Sequence, residues 1–305
     1  MSLSYPVSPD PYSAGWQGAS VAQQRGQNSN DPSLPVGAYY AMMSRWQVMR
    51  ACIDGNHYLK AIAREYIPQL PNESEECYQR RLATALFSPY TARIIDGAVG
   101  LIMRKPIALE GGNEEWWQEW STNVDRQGTD LQEFAQKVLR TSVGYGHCGM
   151  LVDYPRAEGI RTLADERAAN LKPYLTIIEP WEILGWRQDV RENQGQLQQV
   201  RIREMTSQPD GRFGEKLIER IRVLEPGKYS LWEREGKSEW TEIESGTTSL
   251  QEVPLVTTYS QKDAMMVSTP PLLDVGYLNL AHYRVQSQHL NALQTAGFPL
   301  LVLKG

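Results

Sequence analysis

The chain has 305 residues and a formal net charge of −5, with 41% hydrophobic and 22% charged residues. That length accommodates one large domain or two ordinary ones. The acidic balance excludes a global basic field that would hold nucleic acid by bulk attraction, so any contact with DNA has to be local. No apolar run approaches the roughly 18–20 residues a membrane-spanning helix needs. The opening MSLSYPVSPDPYSAGW lacks the basic-then-apolar layout of a secretory signal. Cys52, Cys77 and Cys148 are odd in number and widely spaced. Together these features predict a soluble protein made in a reducing cytoplasm, with no disulfide framework.

Residues 1–37 are rich in Ser, Pro, Gln, Asn and Gly and read as an extended arm, one that could order by lying on a neighbouring subunit. Residues 38–146 read as helical. Tyr39, Met42, Trp46, Met49 and Ile53 recur in steps of three and four and share a helix face, and Asp54-Gly55-Asn56 offers a break. PNESEECYQRRLATALF suggests a capping box of Asn72 with Glu75, a buried stripe of Tyr78, Leu82, Ala85 and Leu86, and a stop at Ser88-Pro89. YTARIIDGAVGLIMRKP is a further helix, in which Gly97 and Gly100 allow a neighbour to approach closely. NEEWWQEW is a short tryptophan-rich helix. Asp130 to Tyr145 is another, with Leu131, Phe134, Val138 and Leu139 inward.

Residues 147–268 change to a period of two. CGMLVDYP is a strand, LKPYLTIIEPWEILGWR two strands around Glu179-Pro180, and four alternating segments between QLQQVRIREM and SEWTEIE form an antiparallel meander with one wet face. VPLVTTYS is a more buried strand. Residues 269–296 form a long helix, spanning about Pro270 to Leu293 at its core, and 297–305 (FPLLVLK) begin a strand. The fold class is therefore α+β: a helical layer first, a sheet second, one long helix last.

Motifs for chemistry are weak. GYGHCG (Gly144–Gly149) has the letters of a dinucleotide fingerprint, but it lies between a helix and a strand, the reverse of the required order, and reads as a C-cap turn. Gly236-Lys237-Ser238 sits in a hairpin turn and lacks the upstream glycine of a phosphate loop. His282 and His289 are two helical turns apart, about 10.5 Å along the axis, too far to share one ion. His147 and Cys148 are strand neighbours pointing to opposite faces, with no partner carboxylate, and the thiol reads as buried and inert. Glu73, Glu75, Glu76, Glu114 and Glu115 sit at helix starts, where the macrodipole favours acids. Trp116, Trp117 and Trp120, flanked by acids, read as packing of the helical layer or a subunit contact. No catalytic, cofactor or metal site is expected, and the chain is not expected to be an enzyme.

Four blocks, taken in order, resemble the portal (head-to-tail connector) proteins of tailed bacteriophages, in a branch found in short-tailed phages. They are YIPQLPNESEECYQRRLATALFSPYTARIIDGAVGLIMRKP, GYGHCGMLVDYP, KPYLTIIEPWEILGWR and PPLLDVGYLNLAHYRVQSQHLNAL with FPLLVLKG, within roughly Gly37 to Gly305. The resemblance implies a homo-oligomeric ring of about twelve copies at one capsid vertex of the virion. Double-stranded DNA would pass through it non-specifically. A packaging terminase motor, then adaptor or tail proteins, would dock on it, and the major capsid protein would surround it; no membrane is involved. Residues 38–268 would be the wing, 269–296 the first stem helix and 297–305 the first strand of a clip, with further family segments expected beyond an incomplete chain.

In the stem helix Leu273, Tyr277, Leu280 and Ala281 are expected to bury against the wing, and the rest is mostly polar. Such a helix is marginal alone and needs neighbours. Uncharged amides would neither grip DNA phosphates nor repel them, so Gln286, Gln288, His289 and Asn291 are expected to include the channel-facing or intersubunit residues. The alternatives are another structural head or adaptor protein and, further off, a nucleic-acid-processing enzyme.

Overall fold

The structure is a computed structural model, and it describes residues 30–111, 114–155, 171–189, 195–236 and 238–297. It is α+β, as expected. Seven α-helices are described, besides a 3-10 turn at Pro180–Glu182: α1 (Gly37–Ala61), α2 (Ala63–Tyr66), α3 (Glu75–Thr84), α4 (Tyr90–Ile102), α5 (Glu114–Ser121), α6 (Leu131–Tyr145) and α7 (Leu273–Ala296). No helix among the described residues is long and apolar enough to cross a membrane. The expected clip strand and most of the N-terminal arm lie outside the described residues.

α1 forms because its apolar positions share one face: Tyr39, Met42, Trp46 and Met49 are all buried. The break expected at Asp54-Gly55-Asn56 is a kink at Gly55, whose φ of 64° suits glycine. Across it Asn56 pairs reciprocally with the Phe87 backbone, donating to the carbonyl and accepting from the N–H, each at 2.8 Å. α3 departs from expectation. Its N-cap is Ser74, whose hydroxyl accepts from Cys77 N–H, rather than Asn72. The helix ends at Thr84, so Leu86 lies beyond the stripe and is exposed, and the buried positions are Tyr78 and Arg81. α6 is capped by Asp130, and Gly146 at φ 98° turns the chain from α6 into the first strand.

Strand β1 (His147–Asp153) is the centre of a three-stranded antiparallel sheet, between β2 (Tyr174–Ile178) and β8 (Leu255–Tyr259). A five-stranded meander runs β3 (Ile183–Gln188), β4 (Leu197–Asp210), β5 (Gly214–Glu225), β6 (Lys228–Arg234) and β7 (Thr241–Thr247), in that order. β9 (Lys262–Ala264) and β10 (Val267–Ser268) form a small hairpin.

The meander is covered on both faces near its base, where the alternation suggested one wet face. Val200 and Leu224 are opposite each other in register and pack with Ile178 and Leu255 of the three-stranded sheet. Ile221, on the other face, packs with Tyr39, Trp46 and Trp181 beneath α1. Two hydrogen bonds tie α1 to its neighbours: Trp46 Nε1 donates to Tyr145 O at the end of α6, and Tyr39 Oη donates to Trp181 O in the short turn Pro180–Glu182 between β2 and β3. Trp120 stacks on Trp116 with centroids 5.9 Å apart, and its Nε1 donates to Pro173 O beside β2. The tryptophan helix thus packs onto the sheet.

Candidate functional site

α7 is 24 residues long, about 36 Å at the standard rise. Its buried positions are Gly276, Asn279, Leu280, Tyr283 and Ser287, one face at steps of three and four. Two of the five are polar, which only specific partners make tolerable.

The partners come from distant parts of the chain. Gly276 lets α7 lie against α1: an added Cβ would stand 3.2 Å from Met49 Sδ, and Cys52 Sγ donates to Gly276 O at 3.4 Å. Asn279 Oδ1 accepts from the Thr91 N–H and hydroxyl, and its Nδ2 donates to Ser88 O. Pro89, at the N-cap of α4, has no capping side chain of its own, so α7 supplies the cap. Tyr283 meets Phe87 edge to face at 5.6 Å, within a cluster that includes Leu59, Ile67 and Tyr78.

One turn on, Arg81 Nη1 donates to Ser287 Oγ, while Nε and Nη2 hold both oxygens of Glu73 at 2.8 and 2.6 Å and Nη2 also reaches Pro68 O. Both side chains of this pair are almost wholly enclosed. The Arg81 hydrogen bonds hold the Glu73 carboxyl below the usual carboxylate range. Arg284 Nε donates to Tyr66 O on the flank.

Leu280 and Tyr283 supply the apolar part of this inner face, but a second set of apolar side chains on α7 faces the other way. Leu278 is 70% exposed, Val285 63% and Leu293 55%. The sequence placed Tyr277 and Ala281 against the wing. Instead Tyr277 is half exposed and Ala281 is open, because the inward positions are taken by Asn279 and its hydrogen bonds; Leu280 is buried and Leu273 half-buried, as expected. α4 continues this surface: Tyr90, Ile94, Leu101 and Ile102 are exposed, and the Tyr90 ring meets His282 at 5.6 Å. Gly97 and Gly100 have nothing within 4 Å of an added Cβ, so no part of the described chain makes the close approach their positions permit.

The four residues singled out in sequence all lie on α7 but on different sides. Gln288 and His289 are exposed, His289 near the line of Leu278 and Val285. Gln286 and Asn291 are half-buried at the margin of the docked face, and Gln286 Oε1 is enclosed with no hydrogen-bond partner among the described residues. Sequence reading missed Asn279, Ser287 and Arg81; their short or charged side chains carry no signal of burial without the remote groups that satisfy them.

Away from α7, His147 and Cys148 are both buried. His147 Nδ1 is 2.7 Å from Ser268 Oγ, and burial pushes the imidazole down to about 4 and the Cys148 thiol up to about 12. At neutral pH the Cys148 thiol therefore stays protonated and unreactive, and the His147 imidazole stays neutral. Among the described residues no three His, Cys, Asp or Glu side chains gather closely enough to hold a metal. The chain matches no protein-family model and shows no significant similarity to a curated protein.

Proposed function

We propose that this chain is a subunit of a bacteriophage portal: a ring at one capsid vertex of the virion, through which double-stranded DNA enters during packaging and leaves on ejection. The observation that supports this most is the second, outward apolar face of α7. Its inner face is pinned by polar groups while Leu278, Val285 and Leu293 face outward, beside the open glycine face of α4. An exposed apolar helix face of this kind marks a protein contact, and a closed ring of identical copies provides one on every subunit without leaving free ends.

In this reading α7 is a stave of the channel. Gln288 and His289 belong to the channel-facing or intersubunit set, and Gln286 and Asn291 to the seam where the stave leaves the wing. Uncharged amides let phosphates pass without gripping them. The ring would be the docking site for a packaging terminase motor, then for adaptor or tail proteins, with the major capsid protein around it. Hydrolysis of ATP would belong to the motor.

Native mass measurement with negative-stain imaging of the purified protein tests the reading. The expected result is a closed ring of about twelve copies with a central hole. A protein that stays monomeric at all concentrations overturns it, and a compact dimer or trimer without a hole directs attention to another head or adaptor role.

A further inference from the structure

β4 and β5 outrun their neighbours. β3 pairs with β4 only as far as Ile202, and β6 pairs with β5 only from Glu219, so the rungs from Thr206–Ile218 to Asp210–Gly214 form a bare two-stranded ribbon. At its tip Gly211 turns the chain with φ 69°, and Phe213 is 89% exposed with the Arg212 guanidinium 4.9 Å from its ring. A two-stranded ribbon is marginal in water, and a bare aromatic ring at its end adds nothing to the fold.

The other end of the meander carries an apolar groove. It measures about 650 Å³ and opens between the end of β1, the β5–β6 turn and residues 248–254. Val152, Tyr154 and Leu250 are exposed around it, with Leu224 and Leu231 beneath. Its floor is internally satisfied, since Arg222 is held by Asp153 and Glu204. Its rim is not: among the described residues Lys228 has no ion pair, and Glu225 is met only by the neutral amide of Gln199. The ribbon tip has the matching charges, Asp210 and Arg212, which likewise have no ion pair among the described residues.

We propose that the β4–β5 tip of one copy seats in this groove of the next copy. Phe213 enters the apolar trough, Asp210 meets Lys228 and Arg212 meets Glu225. The two features lie at opposite ends of β5, eleven residues or about 36 Å apart, so a tip cannot reach its own groove. Such a contact joins different patches head to tail, the type that repeats around an axis and gives a ring when its rotation closes. The inference specifies how wings meet in the ring proposed above and rests on that reading.

Two differently tagged proteins, both carrying Cys77→Ser because Cys77 is the exposed native thiol, test it. One also carries Phe213→Cys and the other Leu250→Cys. After mixing and mild oxidation, a disulfide between the two tags is expected, since the proposal brings these positions within bonding reach. Phe213→Ser, a change at an exposed site that leaves the fold intact, should weaken association about tenfold or more, as loss of an aromatic anchor does. Asp210→Lys should weaken it too, with recovery when the partner copy carries Lys228→Asp. Rings that form normally with Phe213→Ser and give no mixed disulfide overturn this contact and leave the ring standing. A protein that is monomeric throughout overturns both.

Discussion

Asn279 on α7 caps the N-terminus of α4, a helix 188 residues earlier in the chain: its Oδ1 accepts from the Thr91 N–H at 3.0 Å and from the Thr91 hydroxyl at 3.1 Å. Helix starts carry unpaired N–H groups that a local Ser, Asp or Asn usually satisfies. Here Pro89 stands at that position, and the long helix completes the short one. The docking of α7 and the order of α4 are therefore coupled.

Asn279→Ala should destabilise the fold by about 1–3 kcal/mol, because it leaves the buried Thr91 N–H unpaired. Asn279→Asp keeps the acceptor for Thr91 but buries a charge and sets an oxygen against Ser88 O, so it too should destabilise, and its loss should shrink at low pH where the carboxyl is protonated. Chemical denaturation monitored by tryptophan fluorescence would rank the two. An alanine variant as stable as the parent would remove the coupling.

The Glu73–Arg81 pair makes the second prediction. Removing one partner from an enclosed, bidentate pair strands a buried charge, so Glu73→Gln or Arg81→Met alone should cost on the order of 3–5 kcal/mol. Replacing both at once, as Glu73→Leu with Arg81→Met, should recover much of that loss, since a well-packed apolar pair avoids the desolvation. A double-mutant cycle in urea measures the coupling.

His147 predicts a pH dependence. Its folded value of about 4 lies below the ordinary 6.5, so the unfolded chain binds the proton first. The stabilising effect is complete above about pH 6.5 and is lost as pH falls towards about 4, amounting to at most ~3 kcal/mol by linkage. Glu73, held below the ordinary carboxylate range, acts in the same direction at lower pH. In His147→Gln the slope of stability between pH 6.5 and 4 should flatten; thermal unfolding across that range would show it.

The exposed helix faces predict a separation of folding from assembly. Leu101→Asp and Val285→Asp change exposed side chains, so stability should stay within about 0.5 kcal/mol of the parent. Association between copies should nevertheless fall sharply, because a charge would have to be desolvated in an apolar contact. Light scattering across a concentration series, alongside a melting curve, checks both halves of the expectation.

Much of the architecture was legible because periodicity is a local property. The stripe of Tyr39, Met42, Trp46 and Met49, the break at Gly55, the turn at Gly146 and the meander with its Gly-containing turns all follow from residues near one another in the chain. The α+β class follows from their order. What each face meets is not a local property. Leu86 satisfied the helical spacing and is exposed because α3 ends at Thr84; Arg81 broke the pattern and is buried because Glu73, Pro68 and Ser287 converge on it.

The closing helix shows the division most clearly. From its residues alone, Leu273–Ala296 is a long helix too polar to be a core element, and so one in need of neighbours. Which side turns inward was decided by tertiary structure. The groove between α1, α3 and α4 offers a bare helix terminus, a buried ion pair and a close backbone approach, and Asn279, Ser287 and Gly276 satisfy those where leucine could not. Buried hydrogen bonds must be met by particular atoms in particular places, whereas apolar surface needs only to be covered. The polar positions therefore set the orientation of α7, and Leu278, Val285 and Leu293 were left facing out.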